Sequence, residues 1–218
     1  MAIVPLPVSS FPLPQPQPAP WGLATAAGRL VEVGGAEDTA ALTMTARLVL
    51  DAQQDGEQVA WVAPAESLFF PPDIHESGID LDALVVVRVA DAVAGARAAD
   101  KLIRSGSFGI VVVDVGPVPR IPTPLLARLA SLAQRNHAAL VFLTQQSIAP
   151  VKAGAMSSDT ARTDGASSLG SLISLRVRAR RQRITADRFR CWLEVRKDKR
   201  RGPIWGHDEV CRGAPGMR

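Results

Sequence analysis

The densest chemistry in this chain is cationic. Between Arg176 and Arg201 twelve arginine or lysine residues stand against three carboxylates, a density that attracts a phosphate backbone with an affinity falling steeply with salt. Arg176, Arg178 and Arg180 recur at every second position, and Arg181 and Arg183 follow. On a strand the first three share one face, and single-stranded DNA is a ligand such a face could hold, with Phe189 and Trp192 available to stack on bases. The same alternation also describes a sheet whose polar side faces water while its aromatics are core, so both readings stand. The remaining reactive side chains form no comparable constellation. His75, His137 and His207 lie in unlike contexts and nominate no base for a nucleophile. With only Cys191 and Cys211 beside them, they make neither a metal-ligand spacing nor a disulfide framework. A reduced, cytoplasmic setting is expected, with no metal and no cofactor.

The elements that must position these residues follow from composition and periodicity. At 218 residues and 47% hydrophobic, the chain is long enough for one substantial core. The net charge of +4 matters less than the local clustering of the basic residues, which sets the field. Seven prolines between Pro5 and Pro20 favour an extended, polyproline-like arm and oppose the helical apolar stretch of a signal peptide. No apolar run approaches the roughly 18–20 residues that span a bilayer, so no membrane association is expected. The division expected is an arm over 1–27, a core over 28–210 and a tail over 211–218.

Within the core, β-branched runs alternate with helical periodicity. Strands are predicted at Leu30–Val33, Val59–Ala63, Leu84–Val87, Ile110–Val113 and Leu140–Thr144. The run at Ile110–Val113 is of the kind buried on both faces, with Asp114 ending it. Helices are predicted over Glu37–Gln54, from an Asp91 cap to about Ser105, and from a Thr123 cap with Pro124 at the first helical position to about Asn136, with Leu125, Leu126, Leu129 and Leu132 inward. Residues 146–168 lack periodicity and read as a long, mobile loop. Ser171–Arg183 and Phe189–Arg196 read as two strands joined by a polar turn.

This order resembles the RecA recombinase family across roughly residues 28–210. Arg29–Val33, followed by Gly35-Ala36-Glu37, looks like the entry to that family's phosphate loop. Val111–Asp114 looks like its Walker B strand, Val141–Gln145 is similar to the strand ending in the switch glutamine, and Val195–Lys199 is similar to a late basic motif. The resemblance implies an α/β fold, a RecA-like core with a largely parallel central sheet flanked by helices and late antiparallel strands. It also exposes a departure. Where GxxxxGK[ST] requires glycine, lysine and a hydroxyl after Gly35, the chain has Ala40, Ala41 and Leu42. The lysine's charge on the terminal phosphates, the hydroxyl's hold on magnesium and the close backbone approach go together. ATP hydrolysis is therefore not expected, and the chain reads as no enzyme.

On this reading Asp114 is a vestigial Walker B carboxylate and Gln145 a switch-like residue. Glu66, near the position of the family's water-activating glutamate, has no nucleotide to serve. Lys197 and Lys199 resemble lysines that reach the nucleotide of the neighbouring subunit in RecA filaments. They imply contact with RecA that caps or inhibits the filament, a solvated basic edge being the alternative. Residues 146–168 occupy the place of the second DNA-binding loop, with only Lys152 and Arg162 as cations. Among relatives without the loop, the chain is most similar to the ImuA group of mutasome accessory proteins in length, Pro-rich start and end shortly after the late strands. That likeness implies a role in the SOS response to DNA damage and in translesion synthesis. RecA and a polymerase-like mutasome protein are the implied partners. An autonomous single-stranded DNA-binding module is the alternative, and a damage-response cell-division inhibitor a more distant one.

Overall fold

The computed structural model describes residues 21–35, 39–67, 69–116, 119–145 and 169–212. In chain order the elements are α1 (Leu23–Ala26), β1 (Arg29–Gly35), α2 (Ala41–Gln54), β2 (Gln58–Pro64), α3 (Pro72–His75), β3 (Leu84–Val89) and α4 (Ala92–Arg104). They continue with β4 (Phe108–Gly116), α5 (Thr123–Arg135), β5 (Ala139–Gln145), β6 (Leu175–Arg183), β7 (Arg188–Asp198) and β8 (Gly206–Arg212). The strands form one sheet in the order β3-β2-β4-β5-β1-β6-β7-β8. Pairing is parallel from β3 through β6 and antiparallel from β6 to β8. This is the α/β architecture, with its largely parallel sheet and late antiparallel strands, that the sequence predicts.

The β-branched run of β4 explains the layering. Ile110, Val111, Val112 and Val113 are all fully buried, because successive side chains enter opposite faces and both faces are covered. Ile110 and Val112 join Trp61, Met44, Leu48 and Val141 in the core beneath α1 and α2. Val111 and Val113 join Phe142, Ile103, Leu129 and Leu140 beneath α4 and α5. Trp61 stacks on Phe69 at 3.9 Å between ring centroids and 5° between planes.

Several local readings need correction. Helix α2 starts at Ala41, not near Glu37, which lies outside the described residues. Strand β4 does not stop at Asp114 but continues to Gly116 through a register irregularity. Thr123 is the first residue of α5 rather than its cap. The carbonyl of Pro122 accepts from Leu125 and Leu126 at 3.0 and 3.1 Å and opens the helix one residue earlier. Leu126, Leu129 and Leu132 are buried as expected, while Leu125 is half-buried.

The packed unit also extends beyond both expected limits. Trp21 and Leu23, within the stretch assigned to the arm, are core residues; the Trp21 indole donates to the Met44 carbonyl at 2.8 Å and the Leu23 N–H to Asp51 at 2.6 Å. A third antiparallel strand, β8, was not anticipated and takes in Cys211 and Arg212. The loop predicted at 146–168 lies outside the described residues.

Candidate functional site

In an open α/β sheet, ligands gather beyond the carboxyl ends of the strands. Parallel pairing sets Gly35 opposite Gln145 and Asp114 opposite Leu143. The residues that resemble phosphate-loop, Walker B and switch positions therefore meet along one edge. At Gly35 a Cβ would fall 1.8 Å from Thr39 Oγ1 and 2.9 Å from the Ala179 carbonyl, so only glycine fits between the start of α2 and β6. Thr39 fastens that approach: its hydroxyl accepts from the Ala41 N–H at 3.0 Å and lies 3.3 Å from the Ala179 carbonyl, to which it donates. Ala40 and Ala41 are buried, and Leu42 is 37% exposed. The first turn of α2 carries neither an acidic side chain nor a side-chain cap from Ala40. Ala41 and Leu42 present a methyl and an isobutyl group there.

Asp114 is tied into its own neighbourhood. The Ser67 hydroxyl donates to Asp114 Oδ2 at 2.5 Å and the Gly116 N–H to Oδ1 at 3.2 Å. Ser67 also accepts from the Phe69 N–H at 3.1 Å. Together these bonds brace the turn after β2 against the end of β4. Glu66 is exposed beside this brace. The Gln145 side chain is outside the description, although its backbone belongs to β5.

Lys197 and Lys199 lie on the amino side of this edge. Arg176 faces Lys197, and Leu175 of the same strand pairs with Val31, near the amino end of β1. Through Arg176, Lys197 is in register with Glu32, the central residue of β1, about 10 Å from Gly35, and the Lys199 N–H donates to the Ser174 carbonyl at 2.9 Å. Lys197 donates to the Ser171 carbonyl at 3.0 Å; burial, with Lys199 and Arg176 nearby, pushes its ammonium pKa down. Lys199 is exposed.

The arginine-rich strands behave differently from a free cationic face. Arg176 pairs with Glu32 at 3.0 Å, Arg180 and Arg196 share Glu194 at 2.9 and 2.7 Å, and Arg190 pairs with Asp208. Arg178 is likewise engaged. Arg181 places its guanidinium 5.4 Å from the centroid of the Phe189 ring. Arg183 donates to the carbonyls of Thr185 and Ala186, both at 3.0 Å. Much of the charge that is dense in sequence is thus matched within the meander. Of the two aromatics, Phe189 packs against the core and Trp192 is half-buried between Arg180 and Asp208 on the neighbouring strands.

Sequence reasoning missed a buried polar cluster at the amino end of β1. Arg29 pairs with Asp198 at 2.5 Å, their side chains 3% and 0% exposed, and Trp205 donates to the same carboxylate at 2.9 Å. A partner 169 positions away leaves no local signal. Among the described residues no group of three or more His, Cys, Asp or Glu side chains could hold a metal ion, and no helix is long and apolar enough to cross a membrane.

Comparison with known proteins bears on the fold. A family model described as the RecA N-terminal domain matches residues 22–120. RecA of Rhodospirillum rubrum is 28% identical over 173 residues, covering 71% of this chain and 46% of that protein. RecA of Acinetobacter baumannii is 26% identical over the same length, covering 71% and 48%. The chain therefore spans about half the length of the curated relatives it matches. The crystal structure of the RadB recombinase superposes with a TM-score of 0.58 at 15% identity, covering 84% of this chain and 87% of that one, which is a likeness of fold. The chain is thus similar in sequence to the RecA N-terminal domain over residues 22–120 and similar in fold to the RadB recombinase.

Proposed function

We propose that this protein is a non-catalytic, RecA-like accessory factor of damage-induced mutagenesis, of the ImuA kind, that docks on RecA and on mutasome polymerase-like partners and restrains the RecA filament. The observation that carries the reading is the start of α2. Ala41 and Leu42 offer a triphosphate no ammonium and no magnesium-holding hydroxyl, and Thr39 spends its hydroxyl on the protein's own backbone. Without these groups the attraction between a helix N-terminus and phosphate is a fraction of what hydrolysis demands. Lys199, exposed beside Lys197 at the end of β7, supports docking by placing a cation at the surface.

Two measurements test it. Purified protein with magnesium and ATP is expected to show no turnover above background and no tight nucleotide uptake by calorimetry; either one would overturn the non-catalytic reading. RecA binding by interferometry is expected to weaken about tenfold or more in Lys197→Ala/Lys199→Ala, as loss of two interfacial charges would dictate; unchanged affinity overturns the docking surface. A single-stranded DNA-binding module is the second reading, favoured by the cations along β6 and β7. Salt-dependent DNA affinity with no RecA contact would put it first.

A further inference from the structure

A cavity of about 450 Å³ opens between α2, α3 and the β7–β8 edge, on the face of the sheet away from α4 and α5. It shares Leu42 with the carboxyl-end site and runs along α2 as far as Leu50. Its floor is apolar, with Ala46, Ile74 and Cys191 buried and Phe189 half-buried. Two large apolar side chains stand exposed at its rim, Leu42 at 37% and Val210 at 60%. The arginines Arg47, Arg181 and Arg212 are matched in number by the carboxylates Asp73, Glu76 and Glu209. A groove with an apolar floor and no net charge does not select a polyanion. It suits an uncharged, apolar, extended segment whose ordering costs little conformational entropy.

The chain contains such a segment. Residues 1–20 have no Asp, Glu, Lys, Arg or His, and they carry Ile3, Val4, Leu6, Val8, Phe11 and Leu13 among the prolines. Their point of attachment is beside the groove. Trp21 is fixed to the Met44 carbonyl and Leu23 to Asp51, on one flank of α2. The cavity uses Thr43, Ala46, Arg47 and Leu50 on another flank of the same helix. An α-helix with its side chains is about 10–12 Å across, a width that about four extended residues cover at about 3.1 Å each. Phe11 lies ten residues ahead of Trp21, a reach of about 30 Å.

We propose that the Pro-rich segment 1–20 docks in this groove of its own chain, with Phe11 as the aromatic anchor that covers the apolar floor. Cys211 lines the groove and reports access to it. In the full chain, the rate of Cys211 alkylation by N-ethylmaleimide, resolved by mass spectrometry, is expected to rise about fivefold or more in Phe11→Asp/Leu13→Asp, since thiol modification follows exposure. A rate unchanged by these substitutions overturns the proposal. So does wild-type protection that disappears on dilution, which would assign the occupant to a second copy. Independently, Phe11→Cys is expected to form an intramolecular disulfide with Cys211 under copper–phenanthroline oxidation; recovery of only uncrosslinked or dimeric product counts against it.

Discussion

Asp198 accepts from Arg29 at 2.5 Å, from the Arg200 and Arg201 N–H groups at 2.8 and 3.3 Å, and from Trp205 at 2.9 Å. Burial alone would push its carboxyl up. The bonds from Arg29, the Arg200 backbone and Trp205 outweigh that effect and hold it below the ordinary carboxylate range. A folded pKa below the unfolded one contributes stability that is complete above about pH 4 and is lost as the pH falls through the lower, folded value. Melting curves are therefore expected to show the wild type losing stability below about pH 4, with a flatter acid dependence in Asp198→Asn. Arg29→Ala, which strands a buried carboxylate, is expected to cost about 3–5 kcal/mol at neutral pH in urea titrations. At the candidate site, Gly35→Ala would drive a methyl group into Thr39 and the Ala179 carbonyl. It is expected to destabilise by about 1–3 kcal/mol, with Gly35→Ala/Thr39→Ala recovering only part, because the carbonyl remains.

Helix α4 shows how far an element can be read from its residues. Asp91 accepts the Ala94 N–H at 2.7 Å, and the helix ends at Arg104 with Ser105 as its cap, as the sequence predicts. Removing the cap in Asp91→Ala is expected to lower stability by about 1 kcal/mol. Gly95 in the same helix answers to packing instead: a Cβ there would stand 3.1 Å from Val113 Cγ1, so the helix lies close on β4. Gly95→Leu is expected to cost about 1–3 kcal/mol by thermal or urea unfolding even though leucine is the better helix former. Two elements depart from the sequence expectation for different reasons. β8, Gly-His-Asp-Glu-Val-Cys-Arg, lacks a β-branched run and forms because β7 presents an edge to pair with. The start of α5 is governed by the Pro122 carbonyl, not by the hydroxyl beside it.

At the scale of the whole molecule, the sheet order separates what the sequence sets side by side. The cations of residues 176–201 fold into a meander in which Glu32, Glu194 and Asp208 neutralise several of them. In the DNA-binding reading, Arg190→Ala, already matched by Asp208, is therefore expected to change the slope of log affinity against log salt less than Arg188→Ala, whose loss should reduce it by about 0.7. Equal slopes would show that the ion pairs open on binding. The residues by themselves determined the alternation of strands and helices, the doubly buried centre of the sheet and the chemistry at positions 40–42. Each depends on side-chain type or on contacts within a few positions. Only the tertiary structure decided that Gly35, Asp114 and Gln145 share one edge, that Arg29 meets Asp198, and that a neutral cavity forms beside α2. Those outcomes depend on register between strands far apart in the chain, and register is set by burying both faces of the sheet at once, a condition that no local window of sequence contains.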